Sequence, residues 1–534
     1  MFRTIGIAIL TLSTALFAQE MSLQDCLNRA LKNNLDIQIQ ALDTQMSGEN
    51  VRSSMGIFDP VLSARYSEDS NTSPSVWELQ GAQVFKSEGK DGSFSISQLI
   101  PSGGSVSLSY QANRSENNST FYTVNPSFTG SLSLGFSQSL LQGFGTDVTR
   151  YRITLNEQAH STSREQLRYQ IMSTILAVEK AYWDLHYALA DLEVKKVDLE
   201  LARELLEDTQ KRIDLGTQAP IDIYQAQVGV ATREEQIILA QNTVAAAQDH
   251  LKNLLNVTDP KEWDQEIIPI EEVETSDLEF DLNESYEEAL TLRPDVRIKH
   301  LDFEAKKNDY LVARNNLLPS LDLNVNYWYA GSGGDTIIRD PNSGEVLEII
   351  PGGLSDANEQ VLDRDYGNWT AALTFSMPIG NRDARAKRTI AELTLDRADK
   401  EMEQLRQAVF LEIRNALRNL ATARQSMEAA RVSRVLAEKN LDAERKKYDN
   451  GMTTSFQVLE VEADLSDAKT REIMARINVR KAIADFHFSV GNLADYENLD
   501  IVESNAPQYG QPQKRIPVFS YGWWIRNDSR LSAP

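Results

Sequence analysis

Residues able to do chemistry are few in this chain, and they do not cluster. His160, His186, His250, His300 and His487 are scattered, and no two stand four apart as a zinc-binding helix would need. No glycine-rich loop ends in Gly-Lys-Ser/Thr, and no Gly-x-Ser-x-Gly elbow occurs. Cys26 is the single cysteine, so neither an internal disulfide nor a cysteine-based metal site can form. The many Asp and Glu residues fall mainly on helical faces, where solvation is their ordinary role. One turn stands apart, Tyr448-Asp449-Asn450-Gly451-Met452-Thr453-Thr454-Ser455-Phe456-Gln457-Val458-Leu459-Glu460. Gln457 and Glu460 are three apart, hence on one helical face, close to a helix start. A carboxylate there is held by the helix dipole and offers charge, not catalysis. The expectation is a protein that is not an enzyme, with no catalytic, cofactor or metal site.

The turn separates two long helical patterns. Gly451 sits where a helix C-cap needs a positive φ, which glycine takes at little cost. Ser455 is the expected N-cap of the next helix. An earlier copy reads Ile213-Asp214-Leu215-Gly216-Thr217-Gln218-Ala219-Pro220-Ile221-Asp222-Ile223-Tyr224. Gly216 matches Gly451, Ile221 matches Phe456, and Ile223 matches Val458. Pro220 stands at the start of its helix, where a missing N–H is harmless, and Asp222 beside it is placed for dipole stabilisation. Two long hairpins with matching tips in one chain mean an internal duplication.

The chain has 534 residues and a net charge of −24, which leaves no basic face for nucleic acid. No run of 18 apolar residues occurs after the start, so ordinary transmembrane helices are excluded. A transmembrane barrel is not, because its strands alternate and leave little hydropathy signal. Residues 1–18 read as a signal peptide, with Arg3 before an apolar stretch, Ile5 to Phe17, that is too short to span.

From Met21 to about Ser54 the period is helical, and Pro60 stops it. Residues 60–140 alternate instead, as in Val106-Ser107-Leu108-Ser109-Tyr110 and Leu132-Ser133-Leu134-Gly135-Phe136-Ser137. Alternation puts one face on lipid or core and the other on water. Pro101-Ser102-Gly103-Gly104 signals a hairpin, while Ser67 to Ser75 and Asn113 to Ser119 read as polar loops. From about Asp147 to Leu215 a heptad seam takes over: Ile171, Ile175, Val178, Tyr182, Leu185, Leu189 and Leu192. A second stripe, Val194, Val197, Leu201 and Leu205, asks for neighbours on another side. At about 1.5 Å per residue this helix is on the order of 100 Å long. A return helix runs from Ile221 to about Asn256.

These elements make a first repeat over 19–256. Residues 257–282, with Pro260 and Pro269, read as an ordered linker. A second repeat over 283–495 reruns the series. Tyr286-Glu287-Glu288-Ala289-Leu290 echoes Leu27-Asn28-Arg29-Ala30-Leu31, and Leu317-Leu318-Pro319 echoes Phe58-Asp59-Pro60. Leu321 to Tyr327 and Trp369 to Met377 alternate, with Gly331 to Tyr366 between them as a loop. Helices follow over Asp383 to Tyr448 and Phe456 to about Val490. Residues 496–534 are expected to be an extended or disordered tail.

Helix, strands, long helix and return helix, then all of it again, resembles the TolC family of outer-membrane efflux proteins over about residues 20 to 495. The tips around Gly216 and Gly451 and the prolines that open the strand regions carry the likeness. It implies a mixed α and β membrane protein, in which three chains share one transmembrane β-barrel that continues into a long periplasmic α-helical barrel. It also implies a homotrimer in outer-membrane lipid, serving as the exit duct of an efflux or type I secretion system with an inner-membrane transporter and a periplasmic adaptor. Independently, a lone chain would leave strand edges in lipid, which is forbidden. Two strands per repeat would make a twelve-stranded barrel, as the family implies, with the Pro101 hairpin an extension or lid; four plus two would make eighteen. The other reading is a periplasmic coiled-coil adaptor, against which the duplicated strand regions speak.

In the family, the positions of Gln457 and Glu460 carry acids that point into the periplasmic aperture. Here Gln457 departs, so the resemblance implies a ring of Glu460 alone, favouring cations. Asp222 and Tyr448 match positions that link neighbouring hairpins and hold the tip shut. The basic partner of that latch falls on Thr453, so the latch is expected to be weaker or differently built. Gly216 and Gly451 mark the expected docking sites for the adaptor.

Overall fold

The computed structural model describes residues 19–75, 82–273, 279–340 and 343–499. The expected signal peptide and the tail beyond 499 lie outside the described residues. The described chain opens with β1 (Gln19–Met21), α1 (Leu23–Asn33) and α2 (Leu35–Met55). Ser22 and Asp25 cap α1 reciprocally, each side chain accepting from the other's backbone N–H. Where the sequence reads one helix from Met21 to about Ser54, the structure breaks it at Asn34. That residue is extended, and its Oδ1 accepts from the N–H groups of Asp36 and Ile37. An asparagine serving as N-cap has left helical geometry itself, so the preceding helix ends there.

Four strands follow: β2 (Val61–Pro74), β3 (Val84–Leu99), β4 (Ser105–Asn117) and β5 (Val124–Ser139). One turn, α3 (Thr146–Thr149), leads into α4 (Tyr151–Asp214), whose 64 residues span about 96 Å. Its return is α5 (Asp222–Leu254). The connector holds α6 (Pro260–Trp263) and β6 (Ile267–Pro269), and β6 pairs in parallel with β1. The order then recurs as α7 (Leu282–Leu292), α8 (Pro294–Asn315), β7 (Ser320–Arg339), β8 (Val346–Ile350), α9 (Leu354–Asp363), β9 (Gly367–Ser376), α10 (Arg382–Asp449) and α11 (Ser455–Val490), with α12 (Leu493–Tyr496) at the end. Arg293 parts α7 from α8 as Asn34 parts α1 from α2. Its guanidinium donates to the Ser489 carbonyl at 2.7 Å and pairs with Glu412 at 2.9 Å, tying α8 to α10 and α11.

The heptad seam of α4 is the core of the molecule's waist. Ile175, Val178, Tyr182 and Leu185 are at most 1% exposed and pack with Leu27 of α1, Leu251 of α5 and Ile477 of α11. Cys26 is buried in the same cluster, where burial pushes its thiol up to about 12, so it is inert. Val197 of the second stripe stays on the surface of the single chain.

Glu179 also lies in the waist, 3% exposed. Burial pushes its carboxyl from 4.5 up to about 8, the charge of Glu497 adds to the rise, and Arg480 opposes it. The folded chain therefore holds a proton that the unfolded chain releases between about pH 4.5 and 8. That stability is fully present below the lower value and is lost as pH rises through the higher one, by at most about 1.4 kcal/mol per pH unit. Thermal stability is expected to fall from pH 6 to 9, and Glu179→Gln should flatten that slope. Parallel melting curves for the two proteins would refute this role for Glu179.

The sheet runs β2-β3-β4-β5-β7, antiparallel throughout, with β8 and β9 also pairing with β7. The Pro101 hairpin is neither an extension nor a lid. From Leu99 opposite Ser105 to Ser87 opposite Asn117, β3 and β4 are full members of the wall. The stretches Ser67 to Ser75 and Asn113 to Ser119, read as loops, are for the most part the upper ends of β2 and β4. Polar residues there keep pairing, because backbone ladders need no apolar side chains where water bathes both faces.

The two faces differ sharply. One row reads Leu62, Ile96, Leu108, Leu134, Tyr327 and Trp369, each opposite the next. The adjacent row on the other face begins Ser63, Ser95, Ser109 and Ser133, and the Ser109 and Ser133 hydroxyls are hydrogen-bonded at 2.6 Å. An apolar outer face and a hydroxyl-lined inner one are what a water-filled barrel in lipid requires. None of the described helices is long and apolar enough to cross a membrane.

The Gly331 to Tyr366 stretch, read as a loop, contains the top of β7, then β8 and α9. On the apolar face, Gly92, Ala112, Gly130 and Gly331 form a lane of small residues across four strands. Helix α9 lies on its Gly130–Gly331 end, with Ala357 and Val361 buried and Asn358 accepting from the Tyr110 hydroxyl at 2.6 Å. A Cβ at Gly331 would overlap the Ala357 carbonyl. Gly331→Val is therefore expected to lift α9 and raise trypsin cleavage after Arg364, at the C-cap of α9, at least about tenfold through a larger open population. Unchanged cleavage would count against this packing.

Candidate functional site

Both hairpin tips lie at the ends of the helices far from the sheet. The first turn runs between α4 and α5, the second between α10 and α11. Gly216 and Gly451 have φ of 73° and 70°, as a helix end closed by a left-handed residue demands. Thr454, and not Ser455, is the N-cap of α11. It is extended and accepts from the Gln457 N–H at 3.4 Å, while Ser455 is the first helical residue and fully buried. Leu215, Ile221, Met452 and Phe456 stand exposed around the two turns.

The tips are tied to each other by Tyr448. Its hydroxyl donates to Gln218 Oε1 at 3.2 Å and lies 3.3 Å from Thr209 Oγ1. The Arg212 guanidinium sits 4.3 Å from the centre of the Tyr448 ring. It also donates to the Tyr448 carbonyl at 3.1 Å and pairs with Asp449 at 3.2 Å. Arg212 thus brings a positive charge from the first hairpin onto the second. Thr453 instead donates to Glu444 at 2.6 Å on its own hairpin. Hydrogen bonds from Lys447 and Thr453 hold Glu444 below the usual carboxylate range. The structure does not join Asp222 to Tyr448 within one chain, and among the described residues the half-buried Asp222 carboxylate makes no hydrogen bond. Gln457 and Glu460 are both exposed on one face of α11, and Gln457 Nε2 donates to Glu460 at 3.1 Å.

Deeper between the hairpins lies a charge cluster that the helical pattern alone did not suggest. Arg233 of α5 and Asp198 of α4 pair at 3.3 Å, both nearly fully buried. Arg233 also donates to the carbonyls of Gly229 and Leu459, each at 3.3 Å. Glu462 of α11, buried beside them, pairs with Arg445 of α10 at 2.8 Å. Burial pushes Glu462 up, Arg445 and Arg233 pull it down, and the Asp198 charge adds to the rise. Gly229 lets Leu459 approach, since a Cβ there would meet the leucine at 3.0 Å. One sequence signal existed: Ala226, Gly229 and Arg233 share one face at spacings of three and four, and all three are buried. A buried arginine on such a stripe requires a carboxylate.

Among the described residues no group of His, Cys, Asp or Glu is arranged to hold a metal. The two-faced sheet sets aside a periplasmic adaptor. The chain is similar to the outer membrane protein TolC of Vibrio cholerae, 22% identical over 70% of this chain and 78% of that one. It is also similar to TolC of Escherichia coli, 24% identical over 65% and 66% of the two. Its fold matches the CmeC outer membrane channel of Campylobacter jejuni with a TM-score of 0.63 at 16% identity, over 90% of each chain. The outer-membrane channel OprN gives the same score and identity over 88% of this chain and 90% of that one. The model of the family described as outer membrane efflux protein matches residues 97–257 and 285–492. With both repeats matched in that way, the chain belongs to the outer membrane efflux protein family, the TolC-type channels, which reside in the outer membrane, form trimers and transport without catalysing a reaction.

Proposed function

We propose that this channel is the passive exit duct of an efflux or type I secretion system. An adaptor in the periplasm docks on the exposed apolar residues around Gly216 and Gly451, and an inner-membrane transporter supplies the energy. The observation that carries the reading is the bridge of Arg212 and Tyr448 between the two hairpins. A tie at the mouth of a water-filled tube is a gate, and a gate needs a partner to release it. Docking at Leu215, Ile221, Met452 and Phe456, all exposed beside the bridge, would turn the hairpins against each other and break it. Glu460 lies about one and a half helical turns inside α11 from the second tip. Three copies around the axis would bias the open mouth toward cations.

Single-channel recording of the purified trimer in a planar bilayer tests this. Cation-selective current is expected, and Glu460→Gln should lower the cation-to-anion permeability ratio several-fold. A trimer that passes no current under any condition would overturn the duct. An unchanged ratio in the variant would overturn the Glu460 ring alone.

A further inference from the structure

We infer that the outer-membrane barrel of this channel has eighteen strands, six from each of three chains, a deduction that rests on the trimeric duct proposed above. In β2, β3, β4, β5, β7 and β9 the strand ends nearest the helices lie at one level. Val61 opposes Ser97, Leu99 opposes Ser105, Ser105 opposes Ser137, Ser139 opposes Asp322, and Ser320 opposes Ser376. Each of the six carries the same alternation, so none is a lid folded over the others. The apolar row from Leu62 to Trp369 crosses all six at one height.

The second edges of β2 and β9 pair with no other strand among the described residues. Inside a bilayer such edges must be satisfied. Successive strands alternate in direction, so with six per chain β9 runs antiparallel to the β2 of the next copy, and the ladder can continue around the ring. Strands about 4.8 Å apart and tilted about 40° give a barrel radius of about 18 Å for eighteen and about 12 Å for twelve. The inner rows of β3, β4 and β5 are built mainly from small hydroxyl residues such as Ser95, Ser109 and Ser133, and β7 adds Trp328 opposite Ser133, so most of that width stays open. In this channel the outer-membrane section is therefore no constriction, and the limit on cargo size falls on the helical tips. The lining is rich in hydroxyls and poor in charge, which suits bulky hydrated solutes with little selection by sign.

Two measurements test the count. Electron cryo-microscopy of the intact trimer should show eighteen strands in cross-section, with a barrel about 1.5-fold wider than a twelve-stranded one. Twelve strands in a conducting trimer would overturn the inference while leaving the duct intact; absence of trimer and current would overturn the duct instead. Single cysteines placed by Ile96→Cys, Leu108→Cys, Ser95→Cys and Ser109→Cys give a second readout, against a background kept low by the burial of Cys26. In a six-strand wall, the first two should be shielded by lipid and the last two should react with a water-soluble maleimide through the lumen. Equal reaction at all four would mean the hairpin stands in water, and the inference would fail.

Discussion

Replacing Arg233 by methionine is expected to destabilise each chain by about 3–5 kcal/mol, the penalty for removing one partner of a buried ion pair. Asp198 keeps its carboxylate in a site that is nearly dry, the Leu459 carbonyl loses a donor, and Glu462 loses one of the two cations that counter its burial. The measurement is the temperature at which the detergent-solubilised trimer dissociates. Removing the carboxylate as well, in Arg233→Met with Asp198→Leu, should restore much of the loss, because apolar groups of similar size can replace a buried pair. If the double variant is as unstable as the single one, the loss came from packing against Leu459 and not from a stranded charge.

Arg212→Ala is expected to open the closed mouth. It deletes the stacking on Tyr448, worth about 0.5–2 kcal/mol, and the hydrogen bond to the Tyr448 carbonyl, worth about 0.5–1.5 kcal/mol. Per chain the loss is about 2 kcal/mol. If three chains open together, the losses sum over the trimer, and at about 1.4 kcal/mol per tenfold the open population rises by several orders of magnitude until it saturates. Resting conductance in a bilayer should increase several-fold. Arg212→Lys keeps the charge but not the planar stack and should fall between. Thr453→Ala should change conductance little, because Thr453 bonds within its own hairpin. A resting conductance in Arg212→Ala equal to that of the parent would dispose of the gate.

The charge that holds the tip shows how far the sequence could be read. Position 453 was where a basic residue was expected, and its absence was plain in the sequence. Nothing local pointed to Arg212, which stands next to Asp208 at helical spacing and looks like one half of an ordinary surface pair. Its contacts with Tyr448 and Asp449 join residues more than 230 positions apart, and only the packing of one hairpin on the other creates them. The Arg233 cluster has the same character. At Arg233 a local stripe fixed which face was buried, and in both cases the partner came from another helix.

By itself the sequence determined what repeats along one element. A period near 3.5 made α4 long and its seam buried, a period of two made the strands two-faced, and Gly216 and Gly451 ended their helices at positive φ. It also set the duplicated order of elements. The tertiary structure decided what depends on pairing between distant segments. It joined six strands per chain into one wall where the family resemblance implied four, turned polar stretches into strand ends, and laid α9 on the Gly130 and Gly331 end of a lane of small residues. The physical reason is that periodicity is a property of neighbours along a chain, whereas register and charge pairing are satisfied across space. Alternation tells which way a side chain points, and it does not tell which strand lies beside it.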